Sequence, residues 1–262
     1  VTDHKSRARY MTYDITQYLN SGENVIALWL GVSWSIFPAY QRAGEPAIPM
    51  ALVQTEMAFL SGEKQRIVSD ETWKVHASPN TLIGYWEAHH FGGEFYDASL
   101  EKPGWNTIGF DDTDWSQAKV YEPKIIVSAD KTEPNRLVKE IKPLSVSEIS
   151  PGTYRVDMGI NYAGWFEMPL VGQPGDSVVF RFSEREKDAC SYGIHSIYKI
   201  GPDGKGTFRN RFNYMTGRWV QITGLRSAPD LKQIRGWMIR PDFRRSSGFE
   251  CDISLLNDLY RT

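Results

Sequence analysis

Turn signals recur along this chain at intervals too short for a helical protein. They are Ser21-Gly-Glu-Asn24, Ser61-Gly-Glu-Lys64, Ser78-Pro-Asn80, Ser150-Pro-Gly-Thr153, Gln173-Pro-Gly-Asp176 and Gly201-Pro-Asp-Gly204. Glycine supplies positive φ and proline pre-sets φ, so each cluster reverses the chain for a local reason. The runs between them are short, apolar or alternating. Residues 25–30 (Val-Ile-Ala-Leu-Trp-Leu) predict a buried strand, and further strands are predicted at 50–60, 65–69, 154–158, 164–170, 177–182, 218–223 and 233–239. Such spacing predicts an all-β protein made of antiparallel sandwiches. Only residues 254–260 read as helix, with Leu255, Leu256 and Leu259 on one face and Ser254 as the expected cap.

A length of 262 residues has room for one large or two ordinary domains. Pro123, Pro134 and Pro143 mark an extended connection, which places a boundary in 127–145. The expected layout is a first sandwich at 1–126, a linker at 127–145, a second sandwich at 146–250 and a helix start at 251–262. The formal charge of -2 offers no basic patch, which argues against nucleic acid as a partner. No apolar run is long enough to span a bilayer. Cys190 and Cys251 allow at most one disulfide and fix no redox compartment. The compartment is left unknown, with a periplasmic or extracellular setting favoured over a cytoplasmic one.

The richest stretch for chemistry runs from Phe91 to Trp115. Its paired glycines, Gly92 and Gly93, allow close backbone approach or positive φ. Glu94, Tyr96, Asp97 and Trp105 combine flat aromatic faces with carboxylate acceptors, a mixture suited to a hydroxyl-rich ligand. The plainer reading makes Tyr96 and Trp105 core residues, with Glu94 and Asp97 satisfying backbone donors. Trp34, Phe37 and Tyr40, in a predicted loop, are candidates for the rim of a sugar site, or for packing between domains. Asp111, Asp112 and Asp114 have the oxygen density of a structural calcium site but not an EF-hand spacing; bracing the turn before Trp115 is the competing role. Adjacent His89 and His90 would point to opposite faces of a strand, which disfavours a shared metal. Glu184 and Glu186, near Asp188, would share a strand face at glycosidase-like separation, yet any Glu-x-Glu on a strand does, and they read as a solvated edge.

Several motifs, in order, resemble bacterial α-L-rhamnosidases of glycoside hydrolase family 78. Gly-Gly-Glu-Phe-Tyr-Asp-Ala at 92–98, Gly104-Trp105 and Phe110-Asp-Asp-Thr-Asp-Trp115 are similar to the family's first accessory sandwich, a jelly roll of galactose-binding type. Tyr13-Asp-Ile-Thr16 with Gly22-Glu-Asn24 resembles an earlier turn of it. Val156-Asp-Met-Gly-Ile-Asn161 with Gly164-Trp165 resembles the opening of the second sandwich, and residues 248–260 resemble the join into a helical barrel. Ile160 stands where the family pattern has Gln, and Gly217-Arg218-Trp219 where it has Phe-Arg-Tyr.

The resemblance implies two tandem accessory sandwiches, the first lacking its opening strands, that accompany an (α/α)₆ catalytic barrel encoded beyond Thr262. It implies an inverting hydrolase acting on terminal α-L-rhamnose of glycans, with both catalytic carboxylates outside this chain. On that expectation 1–262 alone is inactive, needs no cofactor beyond a candidate structural calcium, and has the barrel and a rhamnose-containing glycan as partners. A free-standing carbohydrate-binding protein is the alternative.

Overall fold

A computed structural model describes residues 6–31, 48–84, 92–122, 124–187, 193–243 and 246–261. Trp34, Phe37, Tyr40, His89, His90, Asp188 and Cys190 lie outside them.

The N-terminal half forms small ladders. β1 (Arg7–Tyr10), β2 (Gln54–Ala58), β3 (Lys64–Val68), β4 (Lys74–Val75), β5 (Asn80–Ile83), β6 (Gly93–Asp97), β7 (Ser116–Gln117) and β8 (Ile126–Ala129) follow in order. β2 and β3 form the hairpin predicted at Ser61-Gly-Glu-Lys64, closed by the Phe59 N–H on the Glu63 carbonyl. β4 pairs antiparallel with β7, and β1 pairs parallel with β8. No described residue up to Gly84 is buried.

The run at 25–30 departs from its prediction. It forms no strand, and its apolar side chains are exposed or half-buried. An apolar run becomes a strand only with a ladder partner, and none is present among the described residues. Trp29 alone is fixed there: its Nε1 donates to Ser78 Oγ at 2.8 Å and its ring meets Phe212 edge-on at 5.6 Å.

The second half builds a ten-stranded sheet. It adds β9 (Asn135–Ile141), β10 (Ser145–Ser150), β11 (Thr153–Val171), β12 (Ser177–Ser183), β13 (His195–Lys199), β14 (Lys205–Arg209), β15 (Met215–Thr223) and β16 (Arg235–Pro241). The order is β5-β6-β13-β12-β15-β11-β16-β9, with β10 and β14 also on β11. The sheet takes strands from both sides of the stretch 127–145. It draws β5 and β6 from before that stretch, and β9, inside it, is hydrogen-bonded to β16. Extended backbone flanked by prolines reads as a linker, but its unpaired polar groups are what a sheet edge can use.

β11 spans two predicted strands, 154–158 and 164–170, as one 19-residue element. Its register to β15 shifts between Asp157, opposite Trp219, and Tyr162, opposite Gly217. Such a bulge bends and twists the strand. Its first part pairs with β10 and its last part with β14 and β16. Tyr154, Val156, Met158, Tyr162, Phe166, Met168 and Leu170 all turn inward, as period-2 geometry requires.

They meet Phe180, Phe182, Phe208, Val220 and Ile222 in the core. Phe180 and Phe208 stack at 3.8 Å, and Phe166 lies 6.0 Å from Phe180. Burying each such ring stabilises the fold by about 1.5–3 kcal/mol. The one described α-helix, α1 (Ser254–Arg261), is where the leucine spacing predicted it. Ser254 is already inside the helix; Asn257 braces its start by accepting the Cys251 N–H and donating to the Cys251 carbonyl. No helix among the described residues is long and apolar enough to cross a membrane.

Candidate functional site

β6 carries three of the candidate ligand residues, and the structure gives each protein partners. Gly92 takes φ +93°, and Gly93 lies so close to β13 that a Cβ there would sit 1.6 Å from the His195 carbonyl oxygen. This closeness lets β6 run parallel to β13, Glu94 facing Ser196 and Tyr96 facing Tyr198.

Glu94 is 6% exposed, and its carboxylate accepts the backbone N–H groups of Arg211, Phe212 and Asn213. Asn80 Nδ2 donates to Oε2 at 3.0 Å. Tyr96 stacks on Tyr198 at 5.3 Å and donates to Glu101 Oε1 at 2.7 Å. Burial first, then that hydrogen bond to a carboxylate, raises the Tyr96 phenol well above its ordinary range, so it is a neutral donor. Burial likewise pushes Tyr198 up to about 12.

Asp97 accepts from the Ser99 N–H at 3.0 Å, capping a short 3-10 turn, and pairs with Lys199 Nζ at 2.8 Å. Burial alone would raise its carboxyl; the Lys199 ammonium and the Ser99 donors outweigh burial and hold it below the ordinary value. Trp105 belongs to another cluster, stacked on Trp115 at 6.3 Å, with His76 and Phe110 on the same Trp115 ring.

The three aspartates at 111–114 separate. Asp111 accepts the Thr113 N–H at 3.1 Å, Asp112 pairs with Lys74 at 2.9 Å and Asp114 pairs with Lys102 at 2.9 Å. Two ammonium groups occupy the sites where calcium would need oxygen. Among the described residues no group of three acid, histidine or cysteine side chains is disposed to share an ion. The donor set does not fit the structural calcium expected there. Glu184 and Glu186 lie past the end of β12, not on it, and both are exposed. The loss of strand geometry removes the fixed separation inferred for them.

Arg209, Asn210, Arg211 and Asn213, which the sequence did not single out, join several elements. The loop 210–213 places Arg211 over Trp29 at 5.4 Å and Tyr96 at 6.0 Å. Asn210 Oδ1 accepts the Phe166 N–H at 2.9 Å, and the Asn213 carbonyl accepts Trp165 Nε1 at 3.1 Å. On the outer face Arg209 lies 4.7 Å from the Trp165 ring and 6.0 Å from that of Trp237, its cross-strand neighbour. Arg209 and Glu167 pair at 3.4 Å. The strands predicted at 164–170 and 233–239 carried the signal for Trp165, Glu167 and Trp237; Arg209 had none.

A shallow hollow of about 300 Å³ lies between the turn at 18–25 and the loop at 106–108. Tyr18, Asn20, Asn24, Val25, Asn106, Thr107 and Ile108 line it, without a charged group. Asn24 is committed to the turn, donating to the Asn20 and Gly22 carbonyls.

Comparison with known proteins agrees with this architecture. The N-terminal domain of α-L-rhamnosidases matches residues 1–139, and the concanavalin-like domain of bacterial α-L-rhamnosidases matches residues 147–240. An α-L-rhamnosidase of Formosa agariphila is 27% identical over 280 residues, covering 99% of this chain and 29% of the relative. One from Streptomyces avermitilis is 28% identical over 275 residues, covering 99% and 26%. The solved α-L-rhamnosidase from Dictyoglumus thermophilum superposes with a TM-score of 0.80 at 26% identity, over 99% of this chain and 29% of that one. The Streptomyces avermitilis α-L-rhamnosidase complexed with L-rhamnose gives 0.81 at 25%, over 99% and 26%. The chain therefore spans under a third of the length of these relatives.

Proposed function

This chain belongs to the bacterial α-L-rhamnosidase family, and on that premise we propose that it is a non-catalytic accessory region of a larger glycoside hydrolase. The parent removes terminal α-L-rhamnose from glycans. The observation that carries the reading is coverage: 99% of this chain aligns, yet it accounts for only 26–29% of each relative. Glycoside hydrolysis needs two carboxyl groups facing each other across the sugar, about 5–9.5 Å apart. The buried acids among the described residues support the assignment, because Glu94, Asp97 and Asp157 are all engaged by protein donors. The general acid and the water-activating base then belong to another part of the polypeptide, and the sheets serve to hold that part and its glycan. Purified 1–262 incubated with an aryl α-L-rhamnoside tests this. No release of the aryl group is expected; turnover above the buffer blank would end the proposal.

A second reading, sugar binding by the chain itself, attaches to the uncharged hollow around Asn20 and Asn106. Neutral amides beside a phenol suit hydroxyl groups. Calorimetric titration with L-rhamnose should give heat that Asn106→Ala removes; absence of heat would leave the scaffold role alone.

A further inference from the structure

Three consecutive backbone N–H groups, of Arg211, Phe212 and Asn213, converge on the Glu94 carboxylate at 2.6–3.0 Å. Successive N–H groups turned to one point form an anion-binding concavity. Here the occupant comes from the same chain, more than a hundred residues earlier in sequence, and it is 6% exposed. The same loop is fastened on its other side to β11, through Asn210 to Phe166 and through Asn213 to Trp165. β6 meanwhile is held to β13 by a parallel ladder and by Lys199 on Asp97.

We infer that Glu94 is an internal anion that locks β6, a strand supplied by the N-terminal segment, into the second segment's sheet, and that its seat is a latent carboxylate-binding site. The two segments recognised as separate domains then open as one unit: releasing 93–97 releases 210–213. This holds whether or not the accessory role proposed above is correct, since it rests on the hydrogen-bond geometry alone.

The test is Glu94→Ala in the full chain. It leaves the N–H groups of Arg211, Phe212 and Asn213 without their shared acceptor, and its melting midpoint should fall by roughly 6–12 °C. Acetate contains the heavy atoms that the substitution deletes. Sodium acetate should raise the midpoint of the variant more than sodium chloride of equal ionic strength, and should leave the parent unmoved. A variant that melts with the parent, or acetate no better than chloride, overturns the inference. If Glu94→Ala does not fold, hydrogen exchange on the unmutated chain decides. The amides of 94–97, 196–199 and 211–213 should share one opening free energy across a denaturant series. Separate openings would refute the lock.

Discussion

Replacing Asp157 by Asn would report on what holds the bend of β11. The Asp157 carboxylate accepts Arg218 Nε at 2.6 Å, Arg218 Nη2 at 2.7 Å and the Gly159 N–H at 2.7 Å. It therefore closes the bulge from both strands, at the point where register to β15 shifts. Its side chain is 10% exposed and that of Arg218 37%. Hydrogen bonds to a charged group are each worth about 1.5–3 kcal/mol net. Water can replace part of this at the exposed guanidinium. The sum is then about 2–4 kcal/mol for Asp157→Ala and about 1–2 kcal/mol for Asp157→Asn, which keeps one acceptor. At roughly 2–4 °C per kcal/mol, the Asn variant should melt about 2–8 °C below the parent near neutral pH.

The pH arm follows from the charge. The Arg218 hydrogen bonds hold the Asp157 carboxyl below its ordinary value; burial works against them, and the Gly159 N–H adds to them. A depressed carboxyl contributes its stability in full above the unfolded value near 3.9, and loses it as pH falls through the folded value. The gap between parent and Asp157→Asn should thus be wide at about pH 7 and shrink below about pH 4. Thermal melts across that range measure it. A gap equal at both ends, or absent at neutral pH, would show that the ion pair does not hold the bend.

Three further outcomes are expected. Phe180→Ala, at a fully buried ring stacked on Phe208, should cost about 3–5 kcal/mol in chemical denaturation without changing the denaturant slope. Gly93→Ala would drive a methyl into the His195 carbonyl and should lower stability by about 1–3 kcal/mol, with exchange protection lost first along 94–97. Lys199→Met removes the partner of the buried Asp97 and should cost about 1–3 kcal/mol near neutral pH, a loss that fades under acid as Asp97 takes up its proton.

Much of the second half was legible because its signals are local. Period-2 burial along β11, β12 and β15 repeats the alternation in the sequence, and the turns at Gln173-Pro-Gly-Asp176 and Gly201-Pro-Asp-Gly204 sit between strands as their residues require. What could not be read was decided by residues distant along the chain. The run at 25–30 is as apolar as any core strand, but a ladder needs a neighbour, and composition does not supply one. The Asp111–Asp114 cluster looks like an ion site until Lys74 and Lys102 arrive from other elements. For Glu94 the plainer reading, an acceptor for backbone donors, was legible, but not which donors: they are Asn80 and the loop at 211–213. The resemblance to a known family identified the motifs, and the physics of Glu94, Asp112 and Asp114 depended on partners outside them.

The parallel join of Gly93–Asp97 to His195–Lys199 has a consequence for biosynthesis. A ribosome adding about 5–20 residues per second completes the earlier strand roughly 5–20 s before the later one exists. Throughout that interval the nascent polypeptide carries a ribbon with an unclaimed border and a carboxylate awaiting its amides. Whatever shields that ribbon during translation influences how much of the newly made protein escapes aggregation.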